Sequence, residues 1–318
     1  MSDHAAIRVP RRSIPQHDPR GWLWNSTQLE PGELRVEHVA LDLGSTSVAT
    51  AAINCASLHR VRAPANGFSL LTRSRNGGAL FVGGRELTSS RGLRMDGGTE
   101  VELVAHHASA CVLISVDKTL NVPELGYHHW IAVGLGAGVK LVGFSIEAGA
   151  ALEERVRAIL QGALSQHDSA AAEFVQQLMA VLLSGAAAWT PDRMTLSATR
   201  LERRRRRAVE AARVYIREHL PEPMRLADLC KNSHLRARSL EYGFREVVRL
   251  SPMRYLRMLR LGEVRRELHK SGGAQRSISE IALDAGFSHL SQFTVDYKKV
   301  FGETPSATRR RLLAQPAA

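Results

Sequence analysis

The sequence predicts an α+β chain of two domains, in which a β-barrel or sandwich followed by helices precedes an all-α double helix-turn-helix. Three features carry that reading. Short segments rich in Val, Leu and Phe alternate with Gly-rich turns up to Asp117, Ala-rich helical periodicity sets in at Glu147, and one pattern occurs twice between Leu229 and Arg311. At 318 residues and 44% hydrophobic content the chain can bury two separate cores.

Residues 1–30, opening MSDHAAIRVPRRSIPQHDPRG, are rich in Pro and Arg and lack the apolar core of a secretion signal, so a loosely ordered arm is expected. Residues 31–187 form the first domain. Its strands are read at Val36–Asp42, Phe68–Arg73, Ala79–Val82, Val101–Val104 and Cys111–Val116, separated by turns at Asn76-Gly77-Gly78, Gly83-Gly84 and Asp96-Gly97-Gly98. Several short strands at regular spacing suggest a sandwich or small barrel. Further on, Leu152, Val156, Ile159, Leu160 and Leu164 recur at helical spacing, as do Phe174, Val175, Leu178, Leu182 and Leu183. Such amphipathic helices pack either on the β domain or on a second copy of the chain, as a homodimer. Residues 188–202, with Thr190-Pro191-Asp192, read as a linker, and 203–313 as the second domain.

Three scattered cysteines, Cys55, Cys111 and Cys230, make neither a disulfide framework nor a metal-ligand cluster, and no apolar run approaches the roughly 20 residues of a membrane span. A reducing cytoplasm, no membrane and no cofactor are the expectation.

In the first copy of the repeated pattern Leu229, Cys230, Leu240, Phe244, Ser251 and Pro252 fall where the second has Ile281, Ala282, Phe293, Tyr297, Thr304 and Pro305. The offset is 52 residues before the turn and 53 after it, because the second turn, holding Gly286, is one residue longer. Each copy reads as a short helix, a tight turn and a longer helix with an inner apolar pair at i, i+4, which is the helix-turn-helix of DNA-binding proteins. Between the copies Ser251 can cap a helix and Pro252 can occupy its first turn, where a missing N–H does no harm. Met253, Leu256, Leu259, Leu261, Val264 and Leu268 then give that helix an apolar side.

Charge points the same way. Residues 201–318 hold 25 Lys and Arg against 13 Asp and Glu, whereas residues 1–200 hold 18 of each, so the net charge of +12 sits with the repeat. That asymmetry suits a domain that neutralises the phosphates of double-stranded DNA; a solvated basic face explains one charge run but not a whole domain.

With these motifs in view, residues 205–311 resemble the AraC/XylS family of bacterial transcription regulators. The matching segments are RLADLC, RARSLEYGFREV, LSPMRYLRMLRLGEVRREL, ISEIALDAGFSHLSQF and YKKVFGETPSATRRR. Within the family, VRREL, GFSHLSQF, the Asp296-Tyr297 pair and GGTEVEL at Gly97–Leu103 look closest to the ethanolamine-operon regulators. The resemblance implies two helix-turn-helix units joined by one long helix, sequence-specific activation of transcription with RNA polymerase, and a cupin-like barrel responding to a small-molecule effector. Held by the bridge, the second helix of each unit would enter successive major-groove segments about 10 base pairs apart.

Helical phase selects the DNA-facing residues. With Leu240 and Phe244 inward, Arg238, Tyr242, Arg245 and Arg249 lie on the opposite face, and the offset of 53 carries these to Ser291, Val295, Lys298 and Gly302, with Ser288, His289 and Gln292 nearby. Arg suits guanine, Gln suits adenine and Val a thymine methyl, so Arg238, Tyr242, Ser291 and Gln292 are expected to read bases and Val295 to meet a methyl group. Arg245, Lys298 and Lys299 are expected on phosphate, and His289 either joins them or supports the turn. The chain departs from the family at Arg236, where a capping Ser is usual, at His234 and Arg249, which replace glycines, and at Val295, where Arg is common. The run Arg203–Arg207 opens another helix through Val209, Ala212, Ile216 and Leu220, and serves either as extra phosphate contacts or as a solvated hinge.

Rival readings find less support. Adjacent residues on a strand face opposite ways, so neither His106-His107 nor His128-His129 suits the chelation that a metal-using cupin enzyme needs, and no catalysis is expected. Isolated cysteines disfavour an Ada-like alkyl acceptor. A non-specific, nucleoid-type binder is the alternative within nucleic-acid function. Finally, Arg73, Arg75, Arg85, Arg91 and Arg94 crowd among Gly-rich turns, either as solvated hairpin charge or as a site for an anionic effector.

Overall fold

The computed structural model describes residues 7–8, 21–42, 46–117, 139–143, 146–163, 190–191, 200–270 and 276–314. By its contacts the chain divides into two compact units, one of Met1–Ser26, Arg35–Asn54 and His59–Ser197, the other of Thr27–Leu34, Cys55–Leu58 and Ala198–Ala318.

Among the described residues the strands form two sheets. One runs in the order β1 (Ile7–Arg8), β3 (Val36–Asp42), β4 (Thr46–Ile53), β11 (Ser109–Val116), β6 (Phe68–Arg73), β9 (Arg91–Asp96), β12 (Val139–Gly143) and β13 (Thr190–Pro191). The other runs β2 (Leu23–Gln28), β5 (Ser57–Arg62), β10 (Glu100–Ala105), β7 (Leu80–Val82) and β8 (Arg85–Leu87). Antiparallel register sets Ala49, Leu113, Leu71 and Leu93 in one row across four strands, and all four are buried. The neighbouring row Val48, Ile114 and Leu70 is buried too, so β11 and β6 are covered on both faces.

Strands β3 and β6 have the bounds expected from sequence, and β7, β10 and β11 differ by a residue or two. Hydrophobic alternation misses β4, TSVATAAI, because small Ala, Thr and Ser side chains give little contrast although the strand is central. Within residues 1–30, read as a loose arm, residues 7–8 and 21–30 are described. Ile7 and Arg8 pair with β3, and Trp22 and Trp24 are only 1 and 5% exposed, since two indoles carry too much apolar area to leave in water. Inside the segment read as linker, Thr190 and Pro191 pair with Gly143 and Val142.

Helix α1 (Ile146–Ala163) packs on β3 and β4 through Leu152, Val156 and Leu160. Its buried Glu153 accepts from the hydroxyl of Ser74 and from the backbone N–H of Arg75 (2.9 Å), and pairs with Arg157 (2.8 Å), which offsets the cost of burying a carboxylate. The second expected helix, around Phe174–Leu183, lies outside the described residues, as does His128-His129.

The second unit carries α2 (Arg200–Glu218), α3 (Leu226–Ser233), α4 (Ala237–Val248), α5 (Pro252–Lys270), α6 (Ile278–Asp284), α7 (Leu290–Phe301) and α8 (Pro305–Leu313). Val209, Ala212 and Ile216 of α2 join Leu229, Leu240 and Phe244 in one half of the core; Ile281, Phe293 and Tyr297 fill the other. Helix α5 lies between, burying Tyr255, Leu256, Leu261, Val264 and Leu268 and touching α4, α6 and α8. Phe244 meets Tyr255 edge-on at 5.7 Å, and Phe293, Tyr297 and Phe301 form an aromatic ladder along α7.

Candidate nucleic-acid interface

Each helix pair is ended by local chemistry that differs between the copies. In the second, Ser277 Oγ accepts from Glu280 N (3.1 Å) while Glu280 accepts from Ser277 N (2.7 Å), a reciprocal cap that lowers the Glu280 pKa through those hydrogen bonds. In the first, Asp228 accepts from Arg225 N (2.7 Å), but Arg225 has no acceptor to return, so half the cap is missing. Helix α7 closes on Gly302 at φ 74°, whereas α3 and α4 close on His234 and Arg249 at φ 52° and 58°, left-handed conformations that disfavour any residue with a Cβ. Gly286 is required twice over: φ is 88°, and a Cβ there would lie 2.7 Å from the Pro221 carbonyl oxygen.

These ends set the faces of α4 and α7. Leu240, Phe244, Phe293 and Tyr297 are buried, while Arg238, Tyr242, Arg245 and Arg249 are exposed on one helix and Ser291, Gln292, Val295, Lys298 and Lys299 on the other, with Ser288 and His289 exposed just before it. Tyr242 and Val295, 59 and 60% exposed, occupy equivalent positions in the two copies. An apolar side chain held in water at the same place on both helices, among cations, suits the edge of a base pair.

Some cations are engaged within the domain, which helical phase could not reveal. Arg205 and Arg206 pair with Glu246 of α4 (3.3 and 3.6 Å), and the Arg205 guanidinium lies 4.7 Å from the Tyr242 ring centroid. Arg204 and Arg207 are exposed. A Cβ on Gly243 would sit 2.6 Å from Val209 Cγ2, so glycine lets α2 approach α4 closely. On α5, Arg260 donates to the carbonyls of Leu220 (2.9 Å), Glu222 (2.5 Å) and Gly286 (2.8 Å), tying the entry to the first helix pair and the turn of the second to the bridge. Partial burial lowers its pKa, and those carbonyls are what hold it.

A family profile described as "Helix-turn-helix domain" matches residues 229–311. Over 97 residues the chain is 37% identical to the XylDLEGF operon transcriptional activator of Pseudomonas putida, covering 30% of either chain. Residues 229–311 are thus similar to the helix-turn-helix domain of transcriptional activators. The probable thc operon regulatory protein of Rhodococcus erythropolis is 33% identical over 96 residues, 30% of this chain and 29% of that protein, so the chain spans about a third of the length of these relatives. A crystal structure of a transcriptional regulator from Chromobacterium violaceum, described as AraC-type DNA-binding domain-containing, is 28% identical, covers 35% of this chain and 95% of its own, and superposes with a TM-score of 0.31. Arg260 of α5 is the residue that sequence reasoning misses, because its partners lie forty residues away or in a turn; the Arg203–Arg207 run is weighed from sequence, but not the pairing of Arg205 and Arg206 with Glu246.

In the β unit the five arginines are spread over both sheets and the turns between strands. Arg73 donates to the Gly77 carbonyl (2.6 Å), Arg75 faces Glu153 (3.7 Å), and Arg94 pairs with Asp96 (2.9 Å) beside the Phe68 ring. Arg91 and Arg94, three apart on β9, point to opposite sides, and Arg85 belongs to the other sheet. His106 stacks on Phe81, His107 is exposed, and no group of three His, Cys, Asp or Glu among the described residues is placed to share a metal. Deeper in, His59 lies 2.8 Å from Ser26 Oγ, and burial pushes its pKa down to about 3, so it is neutral. The Trp24 ring lies 6.0 Å from His59 and 6.4 Å from His38, and its buried indole N–H has no acceptor among the described residues.

Proposed function

We propose that this chain is a sequence-specific DNA-binding transcription regulator without enzymatic activity, working in the cytoplasm as an activator with RNA polymerase as partner. The observation that carries it is the pair of matched exposed faces, Arg238–Tyr242–Arg245 and Ser291–Val295–Lys298, in the part of the chain that holds the net charge of +12. Arg238, Tyr242, Ser291 and Gln292 read bases, Val295 meets a methyl group, and Arg245, Arg249, Lys298 and Lys299 hold phosphate with Ser288 and His289 at the helix entrance. A homodimer reads two such sites. That relatives carry the names of operon activators supports activation. The β domain takes a small-molecule effector, a role supported by the buried indole N–H of Trp24 beside His38 and His59.

The test is selection of duplexes from a randomised library by the full chain, followed by competition at physiological salt. Sequence preference of at least about a thousandfold over random duplex is expected; equal affinity for every duplex leaves a non-specific binder. R238A should relax preference at one base pair, whereas K298A should weaken all duplexes alike and lower the salt slope by about one.

A further inference from the structure

Gln292 and Asp296 stand at i and i+4 on α7 and so share a face. Gln292 Nε2 donates to Asp296 Oδ1 (3.0 Å), and the other carboxylate oxygen, Oδ2, lies 3.1 Å from Arg257 Nη1 on the bridging helix α5. The Asp296 side chain is 14% exposed and that of Arg257 55%, while Gln292 faces solvent. A carboxylate only accepts hydrogen bonds, so it admits the NH2 end of the amide and rejects the carbonyl end, and the end-for-end ambiguity of a surface glutamine is removed. With one N–H held, Gln292 still has Oε1 and a second N–H to offer, the acceptor and donor that complement the N6 amine and N7 of adenine. Arg257 has a second effect: it neutralises a carboxylate on a helix that has to approach phosphates, where a bare negative charge would repel.

The first helix pair has no counterpart. The offset of 53 takes Gln292 to Ser239 and Asp296 to Gly243, and Gly243 is packed against Val209. We propose that Arg257 and Asp296 are positioning residues that fix the Gln292 amide for base reading and thereby couple specificity of the second unit to the bridging helix; this rests on the reading of α7 as a DNA-reading helix.

The experiment measures, for the full chain, relative affinity for a library-selected duplex and for every single-base-pair variant of it. Q292A should lose about tenfold of preference at one base pair. D296N and R257A should each lose roughly threefold or more at that same pair, R257K should retain most of it, and R257A should add nothing further in the Q292A background. If D296N and R257A keep the preference, or weaken all duplexes by one common factor, while Q292A still loses it, the positioning role is overturned and the reading of α7 stands. Unchanged preference at every base pair in Q292A removes Gln292 as a reader and the positioning role with it, whereas a full chain that selects no sequence from the library sinks the reading of α7 as well. Should D296N fail to fold, the exposed Arg257 variants carry the test unaided.

Discussion

The two helix pairs repeat one pattern but are held in place by different means. The second is finished locally: a reciprocal Ser277/Glu280 cap, Gly286 in the turn, Gly302 at the close and Thr304 capping the next helix (3.2 Å to Ala307 N). The first keeps the last of these, Ser251 Oγ accepting from Arg254 N (3.4 Å), but has Arg225, His234 and Arg249 where a full cap and two glycines would serve better. It is braced from outside instead, by α2, whose Arg205 and Arg206 grip Glu246 and whose Val209 fits over Gly243. Repeated sequence thus encodes a repeated shape, while the stabilising interactions are free to move from local to tertiary.

The largest test of this comparison is removal of the tie between the pairs. R260A deletes three charge-assisted bonds to carbonyls and should destabilise the domain by about 3 kcal/mol in urea unfolding; a loss below about 1 kcal/mol would mean the pairs are not joined through that guanidinium. Next comes the external brace. G243A places a methyl group against buried Val209 and should cost about 1–3 kcal/mol, relieved in part by V209A, while D296A at the matching position should cost less. Local finishing follows: S277A should cost about 1 kcal/mol, and R225S, which completes a Ser-x-x-Asp cap on α3, should stabilise by roughly half that. Smallest is strain. R249G or H234G should raise stability by up to about 1 kcal/mol in thermal melts, and R249G should at the same time weaken DNA binding by removing a cation. A drop in stability on either glycine substitution would show that tertiary contacts of the replaced side chain outweigh the backbone relief.

Much of the helix-turn-helix part is legible in the linear sequence because a helix of 3.6 residues per turn converts spacing into direction. Inward Leu240 and Phe244 place Arg238 and Tyr242 outward without reference to the rest of the molecule, and the offset of 53 transfers the result to Ser291 and Val295. The β half is harder to read. Strand alternation marks β3 and β6, whose large side chains contrast with polar neighbours, but β4 is Ala- and Thr-rich and β2 mixes two buried faces, so both escape. The cluster of Arg73, Arg75, Arg85, Arg91 and Arg94 is hard to read for a related reason: proximity in sequence says nothing about which sheet, or which side of a strand, a guanidinium leaves from.

By itself, then, the sequence determined the order of the domains, the doubled helix pairs, the exposed faces of α4 and α7 and the placing of the net charge, since each follows from local period, turn chemistry or composition. Tertiary structure decided which cations stay exposed. Arg205, Arg206 and Arg260 look no different from Arg238 or Arg245 in the sequence, yet the first three end on Glu246 and on backbone carbonyls while the last two are exposed. Arg213 goes further, fully buried with Glu210 at 2.8 Å and the Tyr255 ring close by. The reason is reach: a guanidinium lies at the end of a long flexible stem, so its partner is set by whatever element packs nearby, and no period of the chain encodes that neighbour.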